Sequence, residues 1–308
     1  MNSTVTLGIY EKALVSPIGS AVKPDGDWAR FFADVTEAGF SFCDLSVDET
    51  PQRAARLDWS EQTCREVRNA AADQGTLIGG ICLSLHRKVM PGSADPLIRA
   101  QALDVYRKGI DLCHNLGVSV CQVAGYFAYY EAPDPDARQR YLDCLESALP
   151  YAAQAGVMLG IENVDGHDIS SIPDAVEVVE HFNNPWLQTY PDIGNIAEHG
   201  GDETTELRAG VGKMLAIHVK DTRPGEPRRV PFGTGNVQWH AAFTELARQK
   251  WSGRIMLEMW NDDSPNSVAI CADARQTVSG WLQEAGISVI PAHTHNSVSR
   301  TRREQQRS

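Results

Sequence analysis

The stretch Met214-Leu-Ala-Ile-His-Val-Lys-Asp221 decides how the chain is read. Four mostly apolar residues run into a histidine, a lysine and an aspartate. An apolar run bounded by charge reads as a buried strand whose C-terminal end opens on a polar site. A lone histidine there is more often a satisfied core residue than a ligand. Three further stretches shift that balance. Val157-Met-Leu-Gly-Ile-Glu162 ends in a glutamate followed by Asn163, Leu187-Gln-Thr-Tyr-Pro-Asp192 in an aspartate, and Arg254-Ile-Met-Leu-Glu258 in another glutamate. Hydrophobic strands that each deliver one of Glu162, Asp192, His218 and Glu258 point to a single carboxylate-rich metal site.

Outward from these strands the pattern alternates. Strands are expected at 6–10, 40–47, 77–85, 119–124, 157–163, 187–192, 214–220 and 255–260. Helices are expected at 27–38, 59–74, 95–116, 135–155, 171–181, 203–210, 239–249 and 266–284. Glycines 39, 75, 117 and 156 follow helices where a left-handed cap is needed. Strand–helix alternation implies parallel strands with right-handed crossovers, and eight such units predict an α/β fold of the (β/α)8 TIM-barrel type over residues 1–290. A doubly wound open sheet fits less well, because the first strand–helix turn has no GxGxxG. Two long loops, 12–26 and 222–237, follow strands and are expected to rim the catalytic face. The end of the chain, 291–308, carries four arginines and no periodicity, which predicts a disordered basic tail.

Composition narrows the function. The 308 residues carry a net charge of -12, which disfavours nucleic acid as a partner. Seven scattered cysteines without a CxxC read as reduced, buried thiols of a cytoplasmic protein. The first residues lead straight into a strand, so no signal peptide is expected, and no apolar run approaches membrane-spanning length.

In a barrel, the C-terminal strand ends converge on one pocket. Three carboxylates and one imidazole, without thiolate, suit one divalent ion: Mn²⁺, Mg²⁺, Co²⁺ or Zn²⁺. The bland reading is that each strand merely ends on a solvated polar residue. Four neighbouring strands with ligand-type residues favour the metal. His218 needs an acceptor for its other ring nitrogen, and the sequence does not identify one. Such an ion beside a ketose stabilises an enediolate, and two glutamates on opposite sides of the substrate can serve as base and acid.

The words Leu7-Gly-Ile-Tyr-Glu-Lys-Ala-Leu14, Ser46-Val-Asp-Glu-Thr50, Cys82-Leu-Ser-Leu-His-Arg-Lys88, Ala124-Gly-Tyr126, Asn184-Pro-Trp186, Tyr190-Pro-Asp-Ile-Gly-Asn195, His218-Val-Lys-Asp-Thr222, Val230-Pro-Phe-Gly233 and Glu258-Met-Trp260 occur in this order. Together they resemble the xylose-isomerase-like barrel superfamily and, within it, the L-ribulose-5-phosphate 3-epimerases. The resemblance implies metal-dependent interconversion of L-ribulose 5-phosphate and L-xylulose 5-phosphate by inversion at C3. It also implies Glu162, Asp192, His218 and Glu258 as metal ligands, Glu162 and Glu258 as the acid/base pair, and a homo-oligomer, expected as a dimer. Two words depart from the family: Glu162-Asn-Val-Asp165 stands for Glu-Ile-Met-Asp, and His86-Arg87-Lys88 for His-Arg-Arg.

Lys12, Arg87, Lys88 and Lys220 are candidate contacts to phosphate or sugar oxygens, set against the reading that they are solvated cations. Glu11 and Glu49 are candidates to bind hydroxyls or support those cations. Asn195 and His86 are candidate sugar contacts, His86 with an equal claim to a structural role, and Trp260 is expected to wall the pocket. The alternatives are another ketose 3-epimerase or aldose–ketose isomerase, including one for free sugars, a nuclease on the same barrel, and a metal-free sugar-binding barrel. The acidic charge argues against the nuclease, and the intact four-residue set against the binding barrel.

Overall fold

A computed structural model of the protein describes residues 3–17, 26–261 and 263–292. Its strands are β1 (Thr4–Tyr10), β2 (Phe42–Val47), β3 (Leu77–Leu83), β4 (Val120–Ala124), β5 (Met158–Glu162), β6 (Leu187–Thr189), β7 (Ile217–Val219), β8 (Asp221–Arg223), β9 (Glu226–Val230), β10 (Gly253–Leu257) and β11 (Ser288–Val289). The helices are α1 (Trp28–Glu37), α2 (Pro51–Ala54), α3 (Glu61–Asp73), α4 (Pro96–Leu116), α5 (Ala137–Ala155), α6 (Ile172–Phe182), α7 (Ile193–Glu198), α8 (Glu203–Ala209), α9 (Trp239–Arg248) and α10 (Ser267–Glu284).

Eight parallel strands run in the spatial order β6-β5-β4-β3-β2-β1-β10-β7. Parallel bridges between Thr189 and Met214 and between Asp192 and His218 join β6 to β7 and close the barrel. At that seam the His218 amide donates to the Pro191 carbonyl at 2.7 Å. The eight-unit alternation expected from sequence is therefore the architecture. Inside the barrel, Phe42 needs glycine on both flanks. A Cβ on Gly8 would lie 2.1 Å from its ring, and one on Gly79 2.3 Å. The main core fills the layer between barrel and helices, with Phe31, Phe32, Tyr106, Tyr141 and Phe243 wholly buried.

Helix boundaries follow local chemistry. The Asp27, Ser60, Asp95 and Ser171 side chains cap α1, α3, α4 and α6, the last with a reciprocal capping box to Asp174. Features outside the expected alternation include a one-turn helix, α2, between β2 and α3. Loop 222–237 contains most of an antiparallel hairpin, β8–β9. A short helix, α7, starts directly on Asp192, and β11 adds to the barrel at β1. The central part of the first long loop, 18–25, and the basic tail from 293 onward lie outside the described residues. All seven cysteines are free and buried. No helix among the described residues is long and apolar enough to cross a membrane.

Candidate metal centre and active site

The C-terminal ends of β5, β6, β7 and β10 bring Glu162, Asp192, His218 and Glu258 together, with donor atoms all within 4.8 Å of one another. Each is held by its neighbours. Glu162 leaves β5 with Oε1 2.8 Å from His218 Nδ1 and Oε2 accepting from Gln122 Nε2 of β4 at 2.6 Å. Asp192 is the N-cap of α7, its Oδ1 accepting from the Gly194 amide at 2.8 Å. Asn163, the residue after β5, clamps the Asp192 backbone from both sides. Its Nδ2 donates to the Asp192 carbonyl at 3.0 Å, and its Oδ1 accepts from the Asp192 amide at 2.8 Å. The Glu258 amide donates to the Val219 carbonyl at 2.9 Å, which sets β10 against β7.

The electrostatics are those of a crowded anion site. Burial pushes Asp192 up to about 7, and Glu258 and Glu162 add to the rise although Lys220 opposes it. Burial alone would lower His218, but Glu162, Glu258 and Asp192 hold it up at about 9. Burial also works against the Glu258 carboxylate, and Lys220 and His218 overcome it and keep its pKa low. Lys220 is buried and sends Nζ to Asp192 Oδ2 at 2.6 Å and to Glu258 Oε2 at 3.1 Å. Three carboxylates converging on one imidazole call for positive charge at their centre. Oxygen donors with one ring nitrogen fit a divalent ion of the hard-to-borderline kind. The residues present therefore fit a divalent metal.

A cavity of about 350 Å³ opens over this cluster. Lys12, Glu49, Arg87, Asn195, Lys220 and Trp260 line it. Their roles differ in detail. Lys220 lies inside the carboxylate cluster rather than at a phosphate-binding rim. Lys12 pairs with Asp48, and Arg87 Nε with Glu49 Oε1 at 2.6 Å. Asn195 donates its amide to the Asn163 carbonyl at 2.8 Å, so that group braces the strand ends.

His86 does not reach the cavity. It is wholly buried, with Nε2 3.0 Å from the Ala102 carbonyl and its ring 4.1 Å from that of Tyr106. The expectation of a sugar contact there is corrected to a core role, because the turn after β3 points the ring back onto α4. Glu11 is corrected likewise. It is buried under the loops and receives Arg56 at 2.5 and 2.7 Å, with Arg56 between Trp28 and Trp59.

Sequence reasoning missed Gln122, Tyr126, Asp48 and Arg228 as cavity residues. Arg228 comes from the β8–β9 hairpin and meets Asp165 Oδ2 at 2.5 Å, while the Tyr126 hydroxyl donates to the same carboxylate. The signal for Arg228 was the Arg228-Arg229 pair inside a loop already assigned to the rim.

Comparisons with known proteins agree with this geometry. The family described as "Xylose isomerase-like TIM barrel" matches residues 32–296. A protein of Salmonella heidelberg (strain SL476) named "L-ribulose-5-phosphate 3-epimerase UlaE" is 38% identical over 287 residues, covering 93% of this chain and 98% of its own. The protein of that name from Escherichia coli O1:K1 / APEC has the same identity and coverage. Among solved structures, an L-ribulose 3-epimerase superposes with a TM-score of 0.74 at 18% identity, covering 92% of this chain and 96% of its own. A D-psicose 3-epimerase solved in the presence of D-fructose gives 0.73 at 16% identity, covering 90% and 99%.

Proposed function

The chain belongs to the L-ribulose-5-phosphate 3-epimerases of the xylose isomerase-like TIM-barrel family, and from that premise we propose that it interconverts L-ribulose 5-phosphate and L-xylulose 5-phosphate by inversion at C3. The observation that carries the reading is the placement of Glu162 at the end of β5 and of Glu258 directly after β10, flanking Asp192 and His218, with all four donor groups within 4.8 Å.

Glu162, Asp192, His218 and Glu258 would hold one divalent ion, which would supply Lewis-acid polarisation of the ketose carbonyl. Inversion at C3 needs a proton removed from one face and returned to the other, because one base working on one face regenerates the starting configuration. Glu162 and Glu258 supply the two faces. One accepts the C3 proton to give the enediolate and the other donates to the opposite face, with roles exchanged in the reverse direction. Gln122 fixes Glu162 through Oε2, and Lys220 fixes Glu258, so both carboxylates keep their aim. Trp260 walls the cavity on the β10 side. Arg228, Arg87 and Lys12 surround the outer part of the cavity and are the candidate anchors for the 5-phosphate.

A second reading, a 3-epimerase for free ketoses, draws on one observation. Each of these three cations already has a carboxylate partner: Asp165, Glu49 and Asp48 respectively.

Both readings are tested by incubating protein reloaded with Mn²⁺ with L-ribulose 5-phosphate, and separately with L-ribulose, in deuterated water and following the products by NMR. The phosphate reading expects L-xylulose 5-phosphate labelled at C3 and a large loss of kcat/KM for the free sugar. Equal turnover of the two substrates selects the second reading. Product without C3 label under conditions of free exchange rules out the two-glutamate mechanism.

A further inference from the structure

A buried carboxylate directly beneath the metal centre has no part in the scheme above. Asp44 lies in the middle of β2, inside the barrel and 2% exposed. Its Oδ2 accepts the Tyr190 hydroxyl at 3.0 Å, and its Oδ1 is buried without a hydrogen-bond partner among the described residues. The fold makes room for this oxygen, since a Cβ on Gly79 would stand 2.4 Å from Oδ1.

His218 carries the complementary deficit. Its Nδ1 faces Glu162 in the metal cluster, while its Nε2 is buried and unpartnered among the described residues. The ring is pinned edge-on against Tyr190, with centroids 4.4 Å apart. Donor atoms of Asp44, Cys82 and His218 lie within 4.8 Å of one another, a second group that meets the first only at His218. With Nδ1 turned to Glu162, the Nε2 edge is the one left to face Asp44 and Cys82. Of those two, burial keeps the Cys82 thiol protonated, and a thiol sulfur is a weak acceptor.

We propose that Asp44 is the positioning residue for His218: its free Oδ1 accepts the Nε2 proton through one bridging water, which leaves the Nδ1 lone pair for the metal. A water making two hydrogen bonds of about 2.8 Å spans such a gap. Histidines that ligate metals commonly give their other N–H to a carboxylate, which sets the tautomer and raises the basicity of the ligating nitrogen. Tyr190, just beyond the end of β6, touches both members, its hydroxyl on Asp44 Oδ2 and its ring against His218, and neither contact uses Asp44 Oδ1 or His218 Nε2.

The inference rests on the metal reading above, and the test separates the two. In Zn²⁺-loaded wild type with ¹⁵N-labelled histidine, the long-range ¹H–¹⁵N NMR spectrum should show His218 protonated at Nε2 and not at Nδ1. Asp44→Asn should weaken Zn²⁺ binding on the order of 10–100-fold in chelator competition. Tyr190→Phe removes Asp44's other partner but leaves the acceptor for His218, and should bind Zn²⁺ like the wild type. An unprotonated Nε2 in the wild type overturns the proposal whether or not the Asp44 variant folds. So does wild-type Zn²⁺ affinity in Asp44→Asn, or an equal loss in both variants, which would assign the effect to packing. A wild type that takes up no Zn²⁺ overturns the metal reading, and this inference with it.

Discussion

His86 follows β3 and His218 lies within β7 of the same barrel, both almost fully removed from water, and their basicities move in opposite directions. His86 is pushed down to about 4 by burial, with only the Ala102 carbonyl acting against it. His218 suffers burial too, yet Glu162, Glu258 and Asp192 carry it up to about 9. The difference lies in the company. The wall around His86 is the Tyr106 ring and backbone, while the wall around His218 is three carboxylates from three other strands. Burial marks a core; convergent charge of one sign marks a site.

The contrast is broken most severely at the carboxylates. Glu162→Gln and Glu258→Gln keep a ligand oxygen but cannot accept a proton. Each should retain metal and lose turnover on the order of 10²–10⁴-fold in a steady-state assay. Next come the histidines themselves. His218→Gln should weaken Zn²⁺ binding by more than ~100-fold, since even loss of a ligand's supporting partner costs 10–100-fold. His86→Gln should leave it unchanged, and chelator competition on the two variants reads the difference directly.

A third experiment addresses acid stability. The His86 pKa lies near 4 in the folded protein against 6.5 for a free histidine, so between these values the unfolded chain binds the extra proton. Stability present above pH 6.5 should therefore fall as pH drops toward 4, by about 3 kcal/mol. His86→Gln should flatten that part of the profile, measured as urea midpoints against pH. The smallest effect concerns the hairpin. Arg228→Ala should raise KM for the phosphorylated ketose about 10-fold, as expected for one charge-assisted contact, and change KM for the free sugar less.

The two histidines also show where sequence reading stops. Both follow apolar strands, and nothing in Leu83-Ser-Leu-His86 distinguishes its histidine from the one in Ala216-Ile-His218. The turn after β3 is a 3-10 helix, Ser84–Arg87, which rotates His86 toward α4 and leaves Arg87 at the cavity. That rotation depends on packing against Tyr106, a residue 20 positions away in the chain. Lys220 is a similar case. Its position at a strand end was legible, but its insertion between Asp192 and Glu258 depends on β6, β7 and β10 being neighbours in the closed barrel.

What the sequence by itself determined is whatever is encoded locally. Alternating apolar runs and capped helices set the strand–helix repeat. Asp27, Ser60, Asp95 and Ser171 start helices, and Gly117 and Gly156 adopt the left-handed conformation that ends them. The four strand-end ligand types were visible for the same reason, since each is the last residue of its own apolar run or lies within a residue or so of that end. Tertiary structure alone decided what depends on distant segments meeting. It placed Asp44 of β2 beneath His218 of β7, brought Arg228 of the hairpin to Asp165 after β5, and turned Glu11 away from the cavity onto Arg56. In each of these a charged or polar side chain has its partner at least 40 residues away. Closing the barrel creates those pairs, so the pattern within any one strand cannot specify them.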